Sequence, residues 1–184
     1  MPKISIQEKL HRKYPCQSLT RSVQTLLQYV PSVWLAGVRE IYIRDTESLT
    51  SSEKRRYRDV NGKKVSRCKG YYSERSNDPY GYITLFIDEI FTDQPMIAWK
   101  LPILRDSLIA HTLYHEVGHH ICKQRKETRE MVEQKANEYR NAMRKRMFWR
   151  RYWYIAPWLT FILWIMGARS VSCARLDSNN NPGG

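Results

Sequence analysis

Apolar and polar residues follow regular patterns in several short segments of the first half of the chain. Leu19–Tyr29 has apolar positions at helical spacing and predicts an amphipathic helix. Val38–Arg44 alternates in strand fashion, and Val65–Ser73 and Gly81–Phe91 predict two further strands. The turn residues Ser76-Asn77-Asp78-Pro79 join the last two strands. The first half therefore predicts a small mixed sheet of about three strands.

Helical spacing returns in the second half of the chain. Ile109, Ala110, Leu113 and Val117 predict the buried face of one helix, and Asp106 or Ser107 is a suitable cap for its start. After a polar connection at Lys123–Lys126, Glu127–Arg146 predicts a second helix. Strands followed by helices are typical of an α+β fold.

The segment Tyr152–Ala168 differs from the rest because its seventeen residues carry no charge. As a helix it would extend about 25 Å, slightly less than the ~30 Å hydrocarbon core of a bilayer. Tryptophans lie toward both of its ends, as in an interfacial aromatic belt. A re-entrant, interfacial or buried core helix remains an alternative. Basic residues are denser on the N-terminal side, so we expect a single-pass membrane protein whose larger part faces the cytoplasm.

The formal net charge of +13 raises the hypothesis of a nucleic-acid-binding protein. The positive charge is spread over the chain, however, and its densest cluster adjoins the uncharged segment. We therefore expect a membrane partner and no nucleic acid. The four cysteines include no C-x-x-C pair, and no secretory signal is evident at the N-terminus, so reduced thiols in a cytosol-like compartment are expected.

The most specific chemistry lies in the sequence His115-Glu116-Val117-Gly118-His119, an HExxH motif. His115 and His119 are four residues apart, so on a helix both imidazoles leave the same face and can bind one zinc ion. Glu116 is placed to take a proton from a water at the metal. Gly118 is a poor helix former, which suggests a close approach of another backbone, a substrate or a packing neighbour.

A catalytic zinc needs a third protein ligand and one open position. The candidates are the acids of the second helix: Glu127, Glu130, Glu133 and Glu138. Glu133 and Asn137 are four residues apart and share a face, so they can act as a ligand and its hydrogen-bonding neighbour. Glu130 lies on roughly the same face and competes with Glu133, whereas solvated positions are expected for Glu127 and Glu138.

Two motifs resemble those of a known family. Tyr114–His120 and Glu133–Tyr139 are similar to the two metal-binding helices of small gluzincin peptidases, and most of all to the ImmA/IrrE-like group. The resemblance implies that Glu133 is the third zinc ligand, and it matches Asn137 to the Asn of the second motif. It covers roughly Val38–Met143, without a helix-turn-helix domain or a residue that polarises the substrate carbonyl. Only thirteen residues separate His119 from Glu133, a tight connection.

Three further residues near the motif, His111, His120 and Cys122, carry side chains that can bind metals or substrates. His111 precedes His115 by four residues but lies too far along the helix from His119 to share its metal, so we expect it in the core or beside the ligands. His120 points about 100° away from His119, which favours an ordinary surface position over a substrate-binding one. Cys122 is expected to pack.

Together these patterns predict a zincin-like α+β domain at residues 1–147, a membrane helix at 148–170 and a short disordered tail at 171–184. The expected function is that of a membrane-anchored zinc metalloendopeptidase of the gluzincin type, with Zn²⁺ as cofactor and a protein or peptide as substrate. Gly81–Phe91, the last strand before the motif, is the candidate edge strand for binding substrate by main-chain pairing. The alternative is a non-catalytic membrane-associated binding protein with a structural or vestigial zinc site.

Overall fold

Helices and a mixed four-stranded sheet form the part of the chain that the computed structural model describes, residues 4–15, 18–56, 68–75, 78–155 and 157. The strands are β1 Ser5–Lys9, β2 Val38–Arg44, β3 Gly70–Arg75 and β4 Asp78–Phe86. The helices are α1 Leu19–Leu27, α2 Ser51–Arg56, α3 Ile87–Ile90, α4 Ile97–Lys100, α5 Pro102–Gln124 and α6 Arg129–Arg151. Short 3₁₀ turns occupy Ser32–Leu35, Thr46–Ser48 and Trp153–Ile155. The α+β prediction is confirmed.

The strands follow the order β1-β2-β4-β3 across the sheet. β1, β2 and β4 are parallel, whereas β3 runs antiparallel to β4 and forms one edge. The prediction that Gly81–Phe91 is an edge strand is therefore wrong. β4 pairs on both sides, and its residues from Gly81 to Phe86 are all buried, as expected for an interior strand covered on both faces. Ile87–Ile90 turns into helix α3 instead of continuing the strand.

The strand β1 was not predicted from the sequence. It pairs with β2 from Ser5 to Lys9, with Ile6 opposite Ile41. Its side chains are half-buried or exposed, because an edge strand needs only a weak apolar pattern. Because its apolar pattern is weak and charged residues surround it, β1 could not be recognised as a strand from the sequence.

Helix α5 carries the HExxH motif and packs its apolar positions into the core. Ile109, Leu113 and Val117 are fully buried, and the buried Tyr114 hydroxyl donates to the Leu26 carbonyl oxygen of α1 at 2.9 Å. The helix begins earlier than predicted, at Pro102, because proline at the first helical position lacks only a donor that would be unpaired there. The motif thus lies in the C-terminal half of a long helix.

Helix α6 follows α5 after a short connection. The chain divides into two compact units, Met1–Met147 and Phe148–Gly184. The predicted membrane segment lies outside the described residues except for Tyr152–Ile155 and Pro157. None of the helices within the described ranges combines the length and the apolar character needed to cross a bilayer.

Candidate metal centre and cleft

The side chains of His115, His119 and Glu133 converge at one point between α5 and α6. The two Nε2 atoms of the histidines are 3.1 Å apart. One carboxylate oxygen of Glu133 lies 3.6 Å from Nε2 of His115, and the other lies 3.5 Å from Nε2 of His119. Among the described residues, this is the group of His, Cys, Asp and Glu side chains that could hold a metal ion.

The spacing of these donor atoms fits a zinc ion. Zinc bonds of about 2.0–2.2 Å in a tetrahedral arrangement place ligand atoms about 3.3–3.6 Å apart. The three separations of 3.1, 3.5 and 3.6 Å lie close to this range. Two imidazoles and one carboxylate also form the donor set of many catalytic zinc sites, which keep one position open.

Burial favours the neutral form of both histidines. Burial is the main cause that lowers the pKa of His115 and of His119, although the Glu133 carboxylate opposes it in each case. Neutral imidazoles offer a free nitrogen lone pair to a metal. The close approach of Glu133 is therefore an arrangement of three donors rather than a pair of salt bridges.

Asn137 lies one helical turn after Glu133 on α6. Its carboxamide acts on the His115 imidazole as a hydrogen-bonding neighbour and raises the pKa of that histidine against the effect of burial. Among the described residues, however, none gives Nδ1 of His115 a partner with regular hydrogen-bond geometry. Asn137 thus lies beside His115 without belonging to the donor cluster.

The other acids of the second helix have different positions. Glu127 pairs with Lys135 at 2.5 Å, and Glu138 accepts a hydrogen bond from Gln134 at 3.1 Å. Glu130 is exposed and does not belong to the cluster with His115 and His119. Of the four candidate acids, only Glu133 meets the two histidines.

The contact between α5 and α6 is set at Gly118. A Cβ atom built on Gly118 would lie 2.7 Å from both the Cα and the carbonyl oxygen of Ala136. The glycine inside the motif therefore serves a close approach of backbones, one of the alternatives that the sequence left open. Cys122, one turn later, is buried and donates weakly to the carbonyl oxygen of Val132 at 3.7 Å, so it packs at the same contact.

Glu116 lies on α5 beneath the edge strand β3. It is buried, and this burial, followed by the nearby Glu133 carboxylate, raises its pKa to about 8. The backbone N–H of Tyr72 donates to its carboxylate and opposes the shift. A carboxyl group whose pKa lies near neutrality is suited to accept and return a proton.

The strand passes directly over this carboxylate because residue 70 is glycine. A Cβ atom on Gly70 would lie 2.8 Å from Oε1 of Glu116 and 2.5 Å from Cγ2 of Thr112. Since Tyr72 directs its N–H toward Glu116, alternate residues of β3 turn their backbone groups away from β4. Among the strands that the structure describes, none pairs with the other side of β3, and the Tyr72 N–H on that side donates to Glu116.

A cleft of about 800 Å³ opens between this strand edge and the two helices. Its walls include the metal-site histidines, Glu116 and the first half of β3, and its far end is formed by Cys122, Lys123, Lys126, Glu127 and Val132. Lys123 approaches Glu74 of β3 at 4.0 Å. The volume is ample for several residues of an extended peptide.

His120 was expected at the surface, and this prediction is wrong. The side chain is buried and sits between β3 and the turn before β2. Its Nδ1 lies 3.0 Å from the Tyr72 hydroxyl, and its Nε2 lies 2.8 Å from the Ala36 carbonyl oxygen. Gly81 makes room for this pair, since a Cβ there would lie 2.7 Å from Cε2 of Tyr72. Sequence spacing carried no signal for it, because the pair joins residues 48 positions apart.

His111 is not in the core either. It is exposed on α5, where Nε2 lies 3.3 Å from a guanidinium nitrogen of Arg140 and Nδ1 lies 3.4 Å from one of Arg144. Partial burial, followed by the positive charges of Arg140, Arg144 and Lys69, lowers its pKa to about 4. The stripe of three histidines on α5 thus runs from the metal centre into a basic region.

Comparisons of this chain with protein-family models, curated proteins and solved structures find no match. The resemblance to gluzincin peptidases therefore rests on the two motifs.

Proposed function

We propose that this chain is a zinc metalloendopeptidase with a zincin-like catalytic domain of the gluzincin type. One observation carries the proposal. The donor atoms of His115, His119 and Glu133 converge, and the two histidines line the same cleft as the buried Glu116, beneath strand β3. A purely structural metal site would need neither a carboxyl group beside its ligands nor an open cleft.

In the proposed reaction, His115, His119 and Glu133 would hold Zn²⁺. The bound zinc would supply Lewis acidity, which makes water more acidic and the scissile carbonyl more electrophilic. Glu116 accepts the proton of the attacking water and returns it to the nitrogen of the departing amine. Burial of Glu116 raises its affinity for that proton. Asn137 orients the His115 ring.

Strand β3 is our candidate for the substrate-binding strand. An extended peptide that paired with its open edge would lie across the cleft by main-chain hydrogen bonds. The backbone N–H of Tyr72, which donates to Glu116, fixes the level of this strand relative to that carboxylate. This mode of binding uses the substrate backbone, so it does not depend on particular side chains at the paired positions.

We further propose that the segment Tyr152–Ala168 attaches the protein to a membrane, with the catalytic domain in the cytoplasm. The support comes from the uncharged run and the basic residues that precede it. The protein should remain with membranes after alkaline carbonate washing and be released by detergent. Leu163→Arg, which costs about 2.5–3.5 kcal/mol at the centre of a membrane helix, should shift it to the soluble fraction. Release of the unaltered protein by carbonate would refute a membrane span.

The test of catalysis compares zinc-loaded protein with its Glu116→Gln variant on a peptide library. The wild type should cleave peptides, and a chelator should stop cleavage. The variant should bind zinc with similar affinity and lose at least ~10²-fold in kcat/KM, the contribution typical of a general base. Cleavage retained by zinc-loaded Glu116→Gln would refute the role of this residue. Zinc binding without cleavage of any peptide by the wild type would favour the non-catalytic binding protein.

A further inference from the structure

A second, smaller cavity adjoins the cleft on the side of His111. Its volume is about 300 Å³, and its walls are formed by Lys69, Gly70, His111, Thr112, His115, Glu116 and Arg140. Gly70, His115 and Glu116 also line the larger cleft. A group bound in this cavity would therefore lie beside the residues that the proposed reaction uses.

Helix α6 contributes positively charged side chains at and beside this cavity. Glu133, Asn137, Arg140 and Arg144 follow one another at spacings of four, three and four residues, so they lie along one face. The face turns from acidic at the metal centre to basic beside His111. Arg140 and Arg144 approach the two ring nitrogens of His111 at 3.3 and 3.4 Å.

These cations have no acidic partner among the residues that the structure describes. No carboxylate there lies within 4.0 Å of a side-chain nitrogen of Lys69, Arg140 or Arg144. Arg140 donates instead to the neutral Asn141 side chain at 3.2 and 3.3 Å. Burial and the charge of Arg144 both lower the pKa of Arg140, so the cluster repels itself and would be stabilised by an anion.

We propose that Arg140, with Lys69 and His111, forms a carboxylate-binding subsite, and that the substrate is a peptide with a carboxylate next to the scissile bond. The inference rests on the proposed peptidase function. A planar guanidinium binds carboxylates through paired hydrogen bonds. The carboxylate can belong to an internal Asp or Glu side chain or to the C-terminus of the peptide.

The test measures binding, so that it does not depend on turnover. Zinc-loaded, full-length Glu116→Gln protein in detergent is titrated with labelled peptides in which one Glu moves along a neutral sequence. Each peptide is paired with its Gln counterpart and is made with a free and an amidated C-terminus. For one register the Glu peptide should bind at least ~10-fold more tightly than its Gln counterpart, as expected for a hydrogen bond between charged groups. Tighter binding of the free than of the amidated peptide, with no difference between Glu and Gln, would identify the C-terminus as the source.

Three variants in the same background assign the preference to the cluster. Arg140→Gln should bring the ratio of the two dissociation constants to about one, and Arg140→Lys, which keeps the charge, should retain part of it. Arg140→Glu should reverse the preference toward a Lys peptide. Arg146→Gln, an exposed arginine of the same helix that lies outside the cavity, should leave the ratio unchanged.

The outcomes separate the subsite from the proposed function. Equal affinity for the Glu and Gln peptides at every register together with equal affinity for the free and amidated forms, including no measurable binding of any of them, overturns the subsite. Cleavage of all these peptides by the wild type with equal kcat/KM also overturns it but leaves the peptidase intact. Selective binding that Arg140→Gln abolishes, together with no cleavage by the zinc-loaded wild type, supports the subsite and refutes the peptidase.

Discussion

Gly118 allows the backbone of Ala136 to approach helix α5 more closely than any side chain would permit. A Cβ at position 118 would meet the Ala136 backbone at 2.7 Å, far inside the 3.5–4.0 Å of a normal carbon contact. His119 follows Gly118, and Glu133 precedes Ala136 by three residues. The contact therefore fixes the distance between the candidate donor side chains that the two helices contribute.

We predict that Gly118→Ala destabilises the protein and weakens zinc binding. Helix propensity alone would stabilise the variant by about 1 kcal/mol, whereas overpacking of a tight contact costs about 1–3 kcal/mol. The sign of the change thus decides between the two effects, and urea unfolding of the zinc-free protein measures it. Ala142→Ser, on the exposed side of α6, is the control. A more stable Gly118→Ala protein would contradict the close contact.

Replacement of Glu133 and replacement of Glu130 should have very different effects on zinc affinity. Loss of a residue that only orients a ligand costs about 10–100-fold in metal affinity, so Glu133→Gln should cost at least as much. Glu130→Gln should leave the affinity unchanged, because Glu130 is exposed and outside the donor cluster. Competition with a chromophoric chelator measures both dissociation constants. Equal losses would mean that Glu133 is not the ligand.

Gly70→Ala should lower activity while zinc remains bound. The added Cβ would lie 2.8 Å from Oε1 of Glu116, and a displacement of about 1 Å in a reacting group can cost ~10²-fold in rate. Peptide cleavage and zinc affinity are measured on the same preparation. The Cβ would also meet Cγ2 of Thr112 at 2.5 Å, so Gly70→Ala is combined with Thr112→Ser, which lacks this methyl group. Recovery of full activity in the double variant would place the cause at Thr112 instead.

The zinc-free protein should lose stability as the pH rises through the range in which Glu116 ionises. Burial raises the pKa of Glu116 from 4.5 to about 8, so between these values the folded protein retains a proton that the unfolded chain has released. By linkage, the free energy of unfolding therefore falls with rising pH across this window. The stabilising contribution of the Glu116 proton is fully present below pH 4.5 and is lost as the pH rises through about 8. Glu116→Gln removes the fall and should be more stable than the wild type at pH 8.5 in the presence of chelator.

Glu53→Gln provides the control for this measurement. The Arg44 guanidinium lowers the pKa of Glu53 from 4.5 to about 2, so its contribution to stability is lost only as the pH falls below 4.5. Between pH 6 and 8.5 Glu53 stays charged in both states, and its variant should keep the wild-type slope. A Glu116→Gln protein with the same slope as the wild type would contradict the burial of this carboxyl group.

The sequence predicted the meeting of His115, His119 and Glu133 better than the cleft around them. His115, His119 and Glu133 are joined by helical spacing and a short connection, and local periodicity is sufficient to bring such residues together. The interior strand β4 was predicted as the edge strand because a continuous apolar run does not indicate which strands pair with it. The true edge strand, β3, was predicted as a strand but without its place in the sheet.

Contacts between distant segments could not be predicted in the same way. The placement of Tyr72 on His120 and of Gly70 on Glu116 depends on the sheet order, which no local pattern encodes. Burial of His120 follows from these contacts, as does the raised pKa of Glu116. The basic environment of His111 depends on the crossing of α5 and α6, which the spacing of the histidines alone did not reveal.

The short connection between α5 and α6 makes the proposed zinc binding independent of the proposed peptide cleavage. The three metal donors come from a stretch of nineteen residues, His115–Glu133, so the entropy of closing that loop is small. The strand over Glu116 comes from more than forty residues earlier in the chain. Under the proposed function, detachment of β3 would leave the helical hairpin and its zinc affinity intact while removing the proposed substrate-binding strand. Zinc content would then be a poor measure of the fraction of protein that can cleave peptides.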